Sequence, residues 1–315
     1  MRLRAATLAV CALVGLAGCG GGDEDDARIG SGLPPAGGGG ELAYALPSLP
    51  STLDPLMADD RAALTVVRQL YEPLIERLAG PYGQTSPQAG LALTARPSRD
   101  RTTWTVTLRL GVRFQDGTPF NAAAVVANSR RWQRSPVGRQ LLPHLFAVDA
   151  PRPDEVRFLL DQPVPDLVSR LSDTRLSIVS PEALDSRSGR GIRFVEAAAS
   201  GTGPFELGSK GPARLMLSRF AGWWGSPMGL GPALDAVSFV VAPQLEQRLR
   251  LLQEGTVQVA DPLDRAGLHV AETDPLLATV GGPLKGIGME GSVRGIDSGV
   301  TIPALAGVWL TRLRG

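Results

Sequence analysis

Residues able to do chemistry are few in this chain of 315, and most are spaced so that they cannot cooperate. His144 and His269 are its only histidines. They stand far apart in sequence with no carboxylate spaced to orient them, which argues against both a histidine-based triad and a zinc site. The two cysteines, Cys11 and Cys19, both fall near the N-terminus and leave the rest of the chain without a disulfide or a thiolate metal site. Gly286-Ile287-Gly288-Met289-Glu290-Gly291 has the spacing of a dinucleotide loop. No clear strand precedes it, and too little chain follows to complete a βαβ unit. Gly201-Thr202-Gly203-Pro204 lacks the lysine of a phosphate loop, and Pro204 removes a backbone donor, so a turn is expected there. What remains is recognition chemistry. Trp223 and Trp224 can give a cleft flat apolar walls with one donor each, or they can pack in the core. The residues call for no catalysis, no cofactor and no metal; the chain reads as a non-enzyme.

Charge narrows the partners. Lysine plus arginine number 32 and aspartate plus glutamate 31, a net charge of +1. With no basic stripe, a nucleic-acid partner is excluded, and a neutral or small polar one is favoured. Gly 38 and Pro 26 together make about a fifth of the chain, below the range of low-complexity disorder. The N-terminus carries Arg2 and Arg4, then an apolar run from Ala5 to Leu16, then Ala17 and Gly18: the pattern of an export signal over residues 1–18. Leu16-Ala17-Gly18-Cys19 resembles the lipobox of bacterial lipoproteins. Cys19 would then be the lipidated first residue of the mature chain, holding it on a membrane without a spanning helix. Residues 19–40 are rich in glycine, proline and acidic groups and read as a flexible tether. The acidic run Asp23-Glu24-Asp25-Asp26 lacks the spacing and closing glutamate of a calcium loop.

The folded body is expected from Glu41. Leu42, Tyr44 and Leu46 alternate as in a strand. Asp59-Asp60 then precedes apolar positions Ala63, Val66, Val67, Leu70, Tyr71 and Leu74 at helical spacing, with Pro73 ending or kinking that helix near Glu72. Leu91–Pro97 and the alternation of Trp104, Val106 and Leu108 with threonines predict a hairpin. Asn121 can cap a helix through Val125 and Trp132, and Val156, Phe158 and Leu160 form the next strand. Pro181 to Ser188 marks a possible domain crossing. Strands follow at Pro204–Leu207, Leu215–Arg219, Val237–Val241 and Val257–Ala260, with a helix after Pro243. The mixture indicates an α/β body with a mixed sheet.

The run from Trp104 to Pro119, Trp-Thr-Val-Thr-Leu-Arg-Leu-Gly-Val-Arg-Phe-Gln-Asp-Gly-Thr-Pro, resembles the signature of family 5 solute-binding proteins, the peptide- and nickel-binding components of ABC importers. Leu53-Asp54-Pro55 with Leu70-Tyr71-Glu72-Pro73-Leu74, Gly201 to Phe205, and Trp223-Trp224-Gly225 through Asp261 agree in order. The resemblance implies a type II periplasmic-binding-protein-like lobe, residues 41–65 plus 190–315, with a smaller α+β lobe inserted at residues 66–189. It implies a peptide or small polar solute, ABC permease subunits as partners, and a place at the cell membrane facing periplasm or exterior. It also implies that Asp59, Asp60 and Arg61, just after the Leu-Asp-Pro segment, reach the solute, although an aspartate there can simply cap the helix. The 54 residues after Asp261 are too few for the family's second large lobe, which is expected to be reduced or missing. A chain without that lobe could instead serve as an interaction or dimerisation module.

Overall fold

The computed structural model describes residues 39–79, 85–184, 199–261, 270, 277–280 and 309–312. The signal segment, Cys19 and the tether before residue 39 lie outside the described residues, as do His269 and the glycine motif at 286–291. The elements in chain order begin with β1 (Glu41–Leu46), α1 (Arg61–Leu70), β2 (Ile75–Ala79), β3 (Thr85–Ala89), β4 (Ala92–Pro97), β5 (Thr103–Leu108), α2 (Ala122–Arg134) and α3 (Pro136–Leu141). They continue with β6 (Leu145–Arg152), β7 (Glu155–Leu160), α4 (Leu167–Arg170), α5 (Pro181–Leu184), β8 (Phe205–Lys210), β9 (Arg214–Arg219) and β10 (Ala236–Val241). Last come α6 (Leu245–Gln253), β11 (Val259–Ala260), β12 (Leu277–Val280) and β13 (Trp309–Arg312).

Seven strands form a mixed sheet in the order β12-β13-β11-β1-β10-β9-β8. β1 is parallel to both β10 and β11, and the crossover β10–α6–β11 sets β11 on the far side of β1. A strand so placed must be apolar on both faces. Leu42, Tyr44 and Leu46 accordingly join the core shared with α1, while Ala45 packs with Leu249, Leu252 and Val257 of the α6 region on the other face.

A four-stranded antiparallel sheet, β4-β5-β7-β6, carries the second core. Trp104, Val106 and Leu108 point inward as their alternation with threonine dictates. Asn121 caps α2 by accepting from the Ala124 amide at 3.2 Å. Leu74 to Ile178 contribute to this core, and the core around β1 takes Leu42 to Tyr71 and resumes at Val179; the buried Leu56 crosses over, and the half-buried Trp224 also packs against the second core. Of the expected crossing segment, Pro181–Leu184 is the short α5, and the residues after 184 lie outside those described.

Helix α1 ends earlier than the apolar spacing suggests. Tyr71 is already extended (φ −130°, ψ 152°). Pro73 disfavours helical geometry for Glu72, and the terminal carbonyl of Leu70 is instead taken by the Gly203 amide at 3.0 Å and Gln115 Nε2 at 2.9 Å. Gly201 and Gly203 are therefore more than a turn. A Cβ on Gly201 would lie 2.2 Å from the Leu70 carbonyl oxygen, and one on Gly203 would lie 2.4 Å from that of Gln69. Only glycine lets this segment lie against the end of α1. The β2/β3 hairpin and β6 escape the sequence pattern; in β6 only Val148 is buried, so no alternation marks it. The pairing of Leu145 with Leu160 also brings His144 Nδ1 to 2.9 Å from Asp161, an exposed pair that sequence spacing does not reveal.

Candidate functional site

The N-terminus of α1 and the carboxyl ends of β1 and β11 meet at one place. Asp60 is the helix cap: Oδ1 accepts from the Ala63 amide at 2.7 Å, and Oδ2 accepts from the Ser51 amide at 3.3 Å and from the Ser51 hydroxyl. Beside it, Arg61 Nη1 donates to Asp261 Oδ1 at 2.9 Å, and the Tyr44 hydroxyl donates to Asp261 Oδ2 at 3.2 Å. Asp261 directly follows β11 and is 1% exposed. Burial raises its carboxyl above the usual range, against the pull of Arg61 and the tyrosine hydrogen bond. Burial and the neighbouring Asp261 likewise push the Tyr44 phenol up. Asp59 is exposed and has no hydrogen bond or ion pair among the described residues. It is the carboxylate of this group that remains available to a ligand.

Trp223 and Trp224 stand elsewhere. Their ring centroids are 5.6 Å apart at 52°. Both indoles donate to one carboxylate: Trp223 Nε1 reaches Glu72 Oε1 at 3.3 Å, and Trp224 Nε1 lies 3.2 Å and 2.9 Å from the two oxygens. The donors are thus spent, and what the pair can offer a ligand is apolar surface. Glu72 is 6% exposed. Its pKa is pushed up to about 8, first by burial and then by the charge of Glu76, against the hydrogen bonds of the two indoles. Above Trp224 lies the Arg109 guanidinium, 4.1 Å from the ring centroid, with its Nε donating to the Gly90 carbonyl at 3.0 Å. Arg109, Leu110, Gly222, Trp224 and Met228 line an open depression of about 470 Å³.

The sequence-derived candidates therefore form two groups. Asp59, Asp60 and Arg61 sit at the start of α1, and Trp223 and Trp224 hold the residue two positions beyond its end. Ten helical residues separate the groups by about 15 Å. Sequence reading did not single out Asp261, Tyr44, Glu72 or Arg109. Glu72 carried a signal, an acidic residue set among Leu70, Tyr71 and Leu74, whereas the meeting of Arg61 with Asp261 is 200 residues apart in sequence and has none. Two long-range polar contacts join the cores nearby. Arg131 of α2 pairs with the buried Asp54, and Gln115 Nε2 donates to the carbonyls of Leu70, Gly203 and Phe205 while its Oε1 accepts from the Gly201 amide. Among the described residues no group of three or more histidine, cysteine, aspartate or glutamate side chains could hold a metal ion, and no helix is long and apolar enough to cross a membrane.

Comparison with known proteins gives a consistent result. The sequence pattern of bacterial extracellular solute-binding proteins, family 5 Middle, matches residues 86–289. The glutathione-binding protein GsiB of Escherichia coli O1:K1 / APEC is 33% identical over 228 residues, which cover 71% of this chain and 42% of the relative. GsiB of Escherichia coli K12 is 32% identical over the same shares. The chain thus spans less than half the length of these relatives. Among solved structures, the periplasmic binding protein DppA from Helicobacter pylori, in complex with peptide STSA, superposes with a TM-score of 0.68 at 22% identity, covering 78% of this chain and 51% of that one. NikA from Brucella suis, in complex with Fe(III)-EDTA, gives 0.65 at 23%, covering 76% and 47%. The fold is that expected from the sequence, an α/β body with a mixed sheet of the type II periplasmic-binding-protein kind.

Proposed function

Because the chain belongs to the bacterial extracellular solute-binding proteins of family 5, we propose that it is the solute-binding component of an ABC importer. In this reading it is exported, lipid-anchored at Cys19 facing periplasm or cell exterior, and captures a peptide-like or other small polar solute for delivery to permease subunits. It is a binder and not an enzyme. The lobe that carries the solute is the one built on the seven-stranded sheet, and the core running from Leu74 to Ile178 forms the inserted lobe.

The observation that carries the proposal is the exposed Asp59 carboxylate at the start of α1, beside the Arg61–Asp261 pair and outside the carboxyl ends of β1 and β11. Ligands of open α/β sheets bind at such an edge, where strands on either side of a central one connect in different directions. Asp59 there suits the α-ammonium of a peptide, a charge-assisted contact. Asp60 and Asp261 fix the helix start and Arg61 around it. Relatives named for glutathione, itself a peptide, support the solute class. Trp223 and Trp224, occupied with Glu72, stand outside this subsite, and Trp224 packs against the core of the inserted lobe.

Thermal unfolding and titration calorimetry of the full chain against glutathione, di- and tripeptides and a nickel chelate test this. A true solute at a hundredfold excess over its Kd stabilises by about 2.7 kcal/mol. Asp59→Asn should weaken a peptide by about tenfold or more, the worth of one charge-assisted hydrogen bond. Absence of stabilisation by every member of the panel overturns the proposal. Unchanged peptide affinity in Asp59→Asn overturns the site.

A further inference from the structure

Exposed large apolar side chains gather around the depression beside Trp224. Leu110 is 68% exposed in the loop after β5, and Met228 is 50% and Leu230 42% exposed in the loop after Trp224. Leu110 and Met228 line the same depression as Arg109. That arginine is half-buried, and among the described residues it has no ion-pair partner; its contacts are the Trp224 ring and the Gly90 carbonyl. Glu72, the carboxyl bonded to the same Trp224 indole, is largely protonated at neutral pH because its pKa is about 8. The depression therefore presents an uncompensated guanidinium and an indole, rimmed by aliphatic side chains. This is the combination found where a protein meets a lipid interface: arginine for phosphate, tryptophan at headgroup depth, leucine and methionine beyond it.

The position of the chain's N-terminal part points to the same occupant. Leu230 is fixed by its amide to the Gly225 carbonyl at 3.1 Å. Arg219 then pins the following turn through the carbonyls of Ala233 and Leu234 and the carboxylate of Asp235. Asp235 in turn receives the Gly40 amide at 2.8 Å. The chain that leads back to Cys19 is thus bonded to a residue five positions from Leu230, itself at most about 18 Å from Leu230. Even fully extended, residues 20–38 reach no farther than about 70 Å. A tether of that length keeps the body within reach of the membrane that holds Cys19, and apolar and basic side chains near its attachment point add to that anchorage.

We propose that this patch is a membrane-docking surface: Leu110, Met228 and Leu230 enter the acyl boundary of a phospholipid leaflet while Arg109 takes a lipid phosphate. The inference rests on the reading of Cys19 as a lipid anchor. Hydrogen exchange of the full acylated chain, on vesicles of equal parts phosphatidylcholine and phosphatidylglycerol, tests it. Amides at 109–111, 226 and 228–230 should exchange severalfold more slowly on vesicles than off them. The protection should vanish in the double variant Leu110→Asp, Met228→Asp, whose unfolding midpoint stays near that of the parent because both positions are exposed. Inorganic phosphate in place of vesicles should give none. Unchanged exchange on vesicles, equal protection in the variant, or equal protection by phosphate overturns the docking surface. If the chain floats with vesicles while these loops exchange freely, the docking surface falls and the anchor stands; the peptide panel reads the solute site independently of both.

Discussion

Replacing Glu72 by glutamine should remove much of the pH dependence of stability. The carboxyl has an ordinary value of 4.5 and is pushed up to about 8 in the folded chain by burial and by the Glu76 charge. Its folded value exceeds its unfolded one, so the folded state binds the proton more tightly. Stability from this group is fully present below about pH 4.5, falls as pH rises, and reaches its lower plateau above about pH 8. Within that window the slope contributed approaches 1.36 kcal/mol per pH unit, and the whole loss is about 5 kcal/mol. Asp261, Glu76 and Glu206 are also raised and add slope of the same sign. The decisive quantity is therefore the difference between parent and variant. Glutamine keeps one acceptor for the two indoles but places an amide near Trp224 Nε1, where the carboxylate oxygen lies at 2.9 Å. A cost of about 1–2 kcal/mol is expected at pH 5. Guanidinium midpoints followed by tryptophan fluorescence from pH 5 to 8 measure both effects. The parent should lose stability steeply and Glu72→Gln only shallowly, the two converging or crossing toward pH 8. Parallel pH profiles would refute the argument that Glu72 is buried in its neutral form.

Two substitutions test the scaffold around the candidate site. Asp60→Ala removes the α1 cap and its links to Ser51, and should cost about 1 kcal/mol in denaturant unfolding. The exposed Asp59→Ala should stay within about 0.5 kcal/mol of the parent, so equal losses at the two positions would contradict the capping assignment. Gln115→Ala strips a donor from the Leu70, Gly203 and Phe205 carbonyls and an acceptor from the Gly201 amide. A loss of about 3 kcal/mol is expected from the stranded groups. Chemical denaturation reads it, and a change below about 1 kcal/mol would mean that water serves these groups equally well.

What the sequence discloses and what it hides follow from range. Period-two alternation in β1 and β5, and the Asn121 cap, are decided by neighbours in the chain, and they are visible as such. The end of α1 is only half local. Pro73 announces a break, but where the helix stops depends on Gly203 and Gln115 arriving to take the Leu70 carbonyl. β6 hides because its sheet buries one side chain of eight. The same rule explains why Asp59, Asp60, Arg61, Trp223 and Trp224 are recognisable as polar and aromatic candidates but not assignable to tasks. Asp60 is committed to a cap three residues away, a local role its position already suggested. The tasks of Arg61 and of the tryptophans are set by Asp261 and Glu72, 200 and about 150 residues away in sequence. A side chain already bound to the fold has less to give a ligand. Asp59, the one member of the set with no such commitment among the described residues, is for that reason the residue on which solute affinity should depend most.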